Sequence, residues 1–256
     1  MRDPTQRFSD RVENYMKYRP TYPKEILDVL KAECRLTESS IIADIGSGTG
    51  ILTKLFLDNG NHVFGIEPNR EMREAGERLL SEYPGFTSIA ATAESTTLPD
   101  HSVDFVTAGQ AFHWFDREKV RAEFARILKP GGWVVLLWND RRINSTPFLQ
   151  AYEKLFLTFA LDYQEVTHHL ITEEVIASFF WPEEFKQAVL PHTRMQDFEG
   201  WKGGLLSASY TPQEGHPNYA PMLDELRSLF QVHQVNGMVP AEWDTKMYYG
   251  HIVPRL

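Results

Sequence analysis

The fold of this chain turns on Ile41-Ile42-Ala43-Asp44-Ile45-Gly46-Ser47-Gly48-Thr49-Gly50. An apolar run of strand length ends in an acid and then in three glycines at alternate positions. Ile51 to Leu57 follows with the composition of a helix's first turns. The pattern predicts strand, tight turn, helix. Glycine is needed where the backbone takes positive φ or where a ligand must touch the main chain. The unpaired N–H groups that open the next helix favour polar or anionic groups. The turn is therefore an expected cofactor seat.

A glycine-rich turn alone is weak evidence, so the second strand decides, because a ribose-binding acid should end it about twenty residues on. Asn61-His62-Val63-Phe64-Gly65-Ile66 predicts that strand, and Glu67 closes it with Pro68 behind. A carboxylate there can accept two hydrogen bonds from vicinal ribose hydroxyls; a solvated strand end is the plainer alternative. A dinucleotide fingerprint would place its third glycine at position 51, where this chain has Ile51 and carries Gly50 one residue earlier. The spacing disfavours NAD and leaves an NAD-dependent oxidoreductase as the lesser reading.

The pattern acid, aliphatic, Gly-x-Gly-x-Gly from Asp44 to Gly50 closely resembles the first motif of the class I methyltransferases that use S-adenosylmethionine. The resemblance implies an α/β, Rossmann-like doubly wound sheet, mostly parallel with an antiparallel last strand and a helical lid insertion. It implies S-adenosylmethionine as cofactor and S-adenosylhomocysteine as product. Asp44, Gly46, Ser47, Gly48, Gly50, Glu67 and Pro68 would then hold the cofactor.

With 256 residues, 42% hydrophobic and 24% charged, the chain can bury a large core. Its net charge of −9 argues against a large basic surface for nucleic acid or anionic membrane and favours a small-molecule substrate. Cys34 stands alone, so neither an internal disulfide nor a cysteine zinc site can form. The opening Met1 to Arg7 lacks a signal-peptide core and no apolar run reaches membrane-spanning length, so a cytoplasmic location is expected. Without repeats or linkers, a single domain over 1–256 is expected, as monomer or homodimer. Its parts would be an N-terminal helical cap over 1–36, a cofactor-binding core over 37–139, a helical lid over 140–184, and 185–256 completing the sheet.

Phe8, Val12, Tyr15 and Met16 lead to Tyr18-Arg19-Pro20-Thr21-Tyr22-Pro23 and then to a helix from about Lys24 to Cys34. The prolines predict a bend between two short helices. Similar elements occur in a branch of the family, where they close over the methionine end of the cofactor. The resemblance implies that Arg19 pairs with the cofactor carboxylate and that Tyr15 or Tyr18 lines the pocket; a surface arginine beside packed tyrosines is the alternative.

Asn69 is a plausible N-cap for a helix to Ser81, and Phe86 to Ala90 predicts a third strand. At Ala93-Glu94-Ser95 the family places a polar side chain and a backbone N–H against adenine, which implies roles for Glu94 and Ala93. After the turn at Pro99-Asp100, a strand to Ala108 leads into Gly109-Gln110-Ala111-Phe112-His113-Trp114-Phe115 at the sheet's carboxyl edge. This element resembles one in methyltransferases of the ubiquinone-biosynthesis and trans-aconitate branches. It implies that Gly109 and Gln110 meet the methionine moiety and that His113 and Trp114 face the substrate. His113 is the candidate base for an acceptor that must lose a proton. Arg117 to Lys129 reads as an amphipathic helix, stopped by Lys129-Pro130-Gly131-Gly132 before a buried strand over Trp133 to Asn139.

From Asp140 the composition becomes helical through about Phe180, with Phe148, Tyr152, Leu155, Phe156 and Phe159 at helical spacing, a stripe that suits core packing. Leu190 to Phe198 and Met247 to Val253 predict the last strands, antiparallel at one edge by resemblance, with a helix near Pro221 to His233 between them. Arg194, Trp201 and Tyr210 are the candidate pocket wall. Among Arg141, Arg142 and Arg194, one would suit orientation of a carboxylate among aromatic rings. His168-His169 has no metal-ligand spacing around it, and hydrolase, phosphate-loop and Cys-x-x-Cys patterns do not occur.

The expected function is methyl transfer to a small organic molecule, with O-methylation of a carboxylate or hydroxyl favoured and N- or C-methylation open. A cofactor-binding protein without transfer activity is the second class. A closed pocket lined by Trp114 and residues of the second half would favour the enzyme, and a filled one beside an exposed apolar patch would favour the binding module.

Overall fold

A computed structural model describes residues 16–163 and 171–253. Phe8, Val12, Tyr15 and His168-His169 lie outside them. The expected strand and helix alternation is present: α1 (Glu25–Cys34), β1 (Ile41–Ile45), α2 (Ile51–Asp58), β2 (His62–Ile66), α3 (Arg70–Leu79), β3 (Phe86–Ile89), β4 (Val103–Gly109), α4 (Arg117–Ile127) and β5 (Leu128–Arg141). Asn69 caps α3 through its side-chain oxygen, which accepts the Met72 N–H at 2.8 Å. A 3₁₀ turn, Phe112–Trp114, follows β4.

α4 ends at Ile127, ahead of the glycines expected to stop it, and Leu128 is already extended at φ −69°, ψ 135°. Lys129 precedes a proline, whose ring excludes the helical conformation there. A register shift opposite Val103 and Phe105 absorbs the Lys-Pro-Gly-Gly segment before β5 resumes its pairing at Trp133.

The second half contains α5 (Pro147–Phe159), α6 (Glu173–Phe180), β6 (Phe185–Gln196), α7 (Phe198–Ser207), α8 (Tyr219–His233) and β7 (Val239–Gly250). Both last strands start well before the expected positions. Along β7 the inward residues Trp243, Thr245 and Met247 alternate with Glu242, Asp244 and Lys246, so the period of two is masked by charge. α7 was not expected, because Gly200, Gly203 and Gly204 argue against a helix; Asp197 nevertheless caps it by accepting the Gly200 N–H at 2.8 Å.

The seven strands lie in the order β3-β2-β1-β4-β5-β7-β6. Pairings from β3 to β5 are parallel, while β7 runs antiparallel to both β5 and β6. The chain leaves β1 toward β3 and returns beside β1 with β4. Strand order therefore reverses between β1 and β4, where ligands bind in open α/β sheets.

Two buried clusters cover the two faces. Ile26 and Leu30 of α1 and Leu52 and Phe56 of α2 pack on Ile42, Phe105 and Leu137. On the other face Val120 and Phe124 of α4 and Phe179 and Phe180 of α6 pack on Ile45, Val106 and Leu136. A third cluster joins α5, α7 and α8 through Phe148, Tyr152, Trp201, Leu205 and Leu226 over Val239 and Trp243. The helical segment after β5 thus divides, α6 flanking the sheet and α5 roofing its carboxyl edge together with the later helices.

Candidate active site

The glycine turn is fixed from both sides. The N–H groups of Gly46 and Ser47 donate to the Ile66 carbonyl at 2.8 and 3.1 Å, which ties β1's end to β2. Gly46 and Gly50 take φ of +67° and +85°, and a Cβ on either would approach Ala111 Cβ or Leu80 Cδ1 to 2.6 Å. At Gly48, φ +58°, a Cβ would meet only the Met72 methyl at 3.2 Å, so protein packing leaves the face above the middle of the turn open.

Asp44 is 1% exposed; its carboxylate accepts the Thr53 hydroxyl at 2.6 Å and the Thr107 hydroxyl at 3.0 Å. Burial pushes this carboxyl up to about 6, against the opposing pull of the two hydroxyls. Glu67 is also buried. Its Oε2 accepts the Gly48 N–H at 2.9 Å and its Oε1 the Asn69 N–H at 2.8 Å, while burial raises it above the usual carboxylate range. Each oxygen keeps a further acceptor site.

Beside this turn lies a cavity of about 440 Å³, within the size range of small-ligand sites. Of the expected cofactor residues, Tyr18, Arg19, Asp44, Gly46, Ser47, Gly48, Gly109 and Gln110 form its wall. His113, Trp114, Trp201 and Tyr210 line the same cavity. Gly50, Glu67, Pro68, Ala93 and Glu94 stand outside that wall, with Glu94 accepting the Asp116 N–H at 3.1 Å. Arg194 is corrected: it is exposed on β6, the sheet's outer edge strand, and does not reach the cavity.

The N-terminal segment forms part of the wall through contacts with α7. The Tyr18 ring lies against Gly203, and Arg19 Nη2 donates to the Ser207 carbonyl at 3.2 Å. Tyr22 fills the space that a Cβ at Gly109 would need. Gln110 sits at φ +56° and donates from Nε2 to the Asn139 carbonyl at 3.1 Å. The His113 and Trp114 rings are 4.7 Å apart. Trp201 packs its ring on Phe148 and Tyr152 at 4.7 and 4.8 Å and donates its N–H to the Val239 carbonyl at 3.3 Å.

Wall residues that sequence reasoning missed include some from the end of β5 and from α5, besides others from α7 and β7. Asn139 and Asp140 line the cavity, as do Tyr152 and Phe156 from the stripe assigned to packing, which serve both core and cavity. The signal available was positional: β5 neighbours β4, so its carboxyl end had to reach the same edge. Lys246 pairs with Asp140 at 2.8 Å and Arg142 with Asp244 at 2.7 Å. Among the described residues no group of His, Cys, Asp and Glu could hold a metal ion, and no helix is long and apolar enough to cross a membrane.

The chain has relatives in sequence and in fold. Residues 43–136 match the family described as a methyltransferase domain. An uncharacterized methyltransferase of Schizosaccharomyces pombe is 33% identical over 149 residues, covering 58% of this chain and 58% of that protein. One from Mycobacterium tuberculosis is 38% identical over 141 residues, 55% of each. The chain thus spans little more than half the length of these curated relatives. Among solved structures, a protein of Anaeromyxobacter dehalogenans, provisionally described as a type II methyltransferase, superposes with a TM-score of 0.67 at 21% identity over 93% of this chain and all of that one. Phosphoethanolamine N-methyltransferase 2 of Haemonchus contortus, in complex with S-adenosyl-L-methionine, gives 0.55 at 15% over 98% and 59%. The chain resembles the class I S-adenosylmethionine-dependent methyltransferases in motif and in fold.

Proposed function

We propose that this protein is an S-adenosylmethionine-dependent methyltransferase acting on a small organic molecule, with an oxygen of a carboxylate or hydroxyl as the favoured acceptor. One observation carries the reading. A single cavity at the switch point joins the glycine turn and Gln110 to His113, Trp114, Trp201 and Tyr210, so cofactor and acceptor residues face one another.

The residues fit the cofactor. Positive φ at Gly48 beneath an open face makes a cradle that a side chain would fill, and Arg19 is on the wall to meet a carboxylate; Glu67 stands just outside that wall, bonded to the Gly48 N–H, with acceptor sites left for a ribose that reaches past the turn. When bound, S-adenosylmethionine supplies a sulfonium methyl whose carbon–sulfur bond breaks as the acceptor oxygen bonds to it, the electron pair returning to sulfur. The chain's part is to hold the acceptor near attack distance and to exclude water. Tyr152, Phe156, Trp201 and Tyr210 supply an aromatic roof for that purpose. His113 would take the proton of a hydroxyl acceptor, whereas a carboxylate acceptor needs orientation alone.

The test is release of labelled methyl from S-adenosylmethionine across small acids, phenols and amines, alongside calorimetric titration of the cofactor. Transfer to at least one class is expected. Tight cofactor binding without transfer to any would favour a binding protein.

A further inference from the structure

Three arginines stood out in the sequence as able to orient an acid, and the structure separates them. Arg194 lies exposed on the outer strand. Arg142 is on the cavity wall, but Nε and Nη2 both donate to Asp244, at 2.7 to 3.1 Å. Arg141, from the end of β5, is held differently. Its Nη2 donates to Glu153 Oε2 at 2.6 Å, and the other oxygen of Glu153 accepts the Tyr163 hydroxyl at 2.7 Å. The guanidinium lies over the Tyr152 and Phe156 rings, 4.7 and 5.2 Å from their centroids. Its Nη1 is buried and has no hydrogen-bond partner among the described residues.

This is an unusual state for a guanidinium. A buried donor without an acceptor forfeits its hydration with nothing in return, and more so when charged. Glu153 and the two rings fix the plane of the group, so it cannot swing to another acceptor without giving up a short ion pair and two aromatic contacts. The side chain keeps 16% of its surface exposed and is part of the cavity wall, so an acid in the acceptor pocket meets the exposed part of the side chain, with the buried Nη1 behind it. Tyr210 stands on the same wall, and burial holds its phenol protonated and able to donate.

We infer that Arg141 is the specificity-determining residue of the acceptor pocket, set in place by Glu153, Tyr152 and Phe156 to bind a carboxylate on a planar or largely apolar acceptor. The inference rests on the proposed methyl transfer for its setting but not for its chemistry, because a guanidinium reads the carboxylate whether or not transfer follows. A neutral isostere of the acceptor, such as the primary amide, would present the guanidinium with an NH₂ or a weaker acceptor and lose the charge-assisted bond.

Three measurements separate the possible failures. Calorimetry of the wild-type chain with S-adenosylhomocysteine checks the cofactor site alone; absence of binding there overturns the proposed function, independently of Arg141. With that cofactor saturating, benzoate and benzamide are then compared as probes by thermal shift and titration. Benzoate is expected to bind at least tenfold more tightly, and equal binding, or none of either, overturns the inference while leaving the cofactor reading intact. Finally, Arg141→Gln and Arg141→Lys are compared with Glu153→Gln. Arg141→Gln should abolish the preference for acid over amide, raising KM for acids tenfold or more with cofactor affinity within twofold of wild type. Arg141→Lys should retain part of the preference, because it keeps the charge without the planar fork. If Arg141→Gln does not fold, the wild-type benzoate comparison still decides. A variant that weakens acid and amide alike would make Arg141 a packing residue and overturn the assignment.

Discussion

The Glu67 carboxylate closes on the backbone N–H of Gly48 at 2.9 Å, across 19 residues of chain, and ties the end of β2 to the turn that follows β1. The expected ribose acceptor is thus also a brace for the turn, because its other oxygen accepts the Asn69 N–H that precedes α3. Glu67→Ala should therefore do two things at once. Cofactor affinity should fall by roughly 1.5–3 kcal/mol, and Tm should fall because two backbone donors lose a buried partner. Calorimetry and thermal unfolding on one preparation check both. Unchanged affinity with a lowered Tm would reduce Glu67 to the brace.

Asp44 predicts a pH signature. Its carboxyl is pushed up to about 6 by burial, from an ordinary value near 4. Between those limits the folded chain binds a proton more readily than the unfolded one. The Asp44 contribution to stability is therefore fully present below about pH 4 and is lost as pH rises through about 6. In Asp44→Asn that share of the slope disappears. Thermal unfolding of both proteins from pH 4 to pH 7 should show wild type losing stability relative to the variant across this window, and parallel curves would contradict the assignment.

How far the sequence reaches is plain from particular residues. Asp44, the three glycines and Glu67 carry positional rules, positive φ and a strand-end acid, that leave the same trace wherever this turn forms, so the strand, turn and helix at β1 and the end of β2 were legible. α7 was not, because Gly200, Gly203 and Gly204 lower helix propensity, and tertiary packing overrides it: Gly203 is small where the Tyr18 ring must lie. β7 was read too short because its open face carries Glu242, Asp244 and Lys246. Arg141 was indistinguishable from Arg142 and Arg194 by composition, since what sets it apart is a partner from α5, Glu153, and the rings beneath it.

The same contact predicts an asymmetric glycine pair on α7. A Cβ at Gly203 would lie 2.1 to 2.3 Å from three Tyr18 ring carbons, whereas one at Gly204 meets nothing within 4 Å. Gly203→Ala should displace Tyr18 from the cavity wall, lower Tm by the equivalent of about 1–3 kcal/mol and raise KM for the cofactor several-fold. Gly204→Ala should keep or raise Tm, since alanine favours a helix over glycine by about 1 kcal/mol. Equal effects at the two positions would contradict the packing described.

His113 distinguishes the acceptor classes. With a hydroxyl acceptor, whose proton must be removed, His113→Gln should lower turnover about a hundredfold with cofactor affinity unchanged. With a carboxylate, already ionised at neutral pH, turnover should stay within a few-fold of wild type. Single-turnover rates with one acceptor of each kind check this; an equal loss for both would make His113 a positioning residue for the Trp114 ring beside it.

Whether the joined cavity is a methyl-transfer site is measured most directly by calorimetric titration of the full chain with S-adenosylmethionine, S-adenosylhomocysteine and NAD. Saturable 1:1 binding of both sulfur nucleosides, weakened by Glu67→Ala, and none of NAD are expected. Firm NAD binding with no response to either sulfur nucleoside would contradict the methyl-transfer reading.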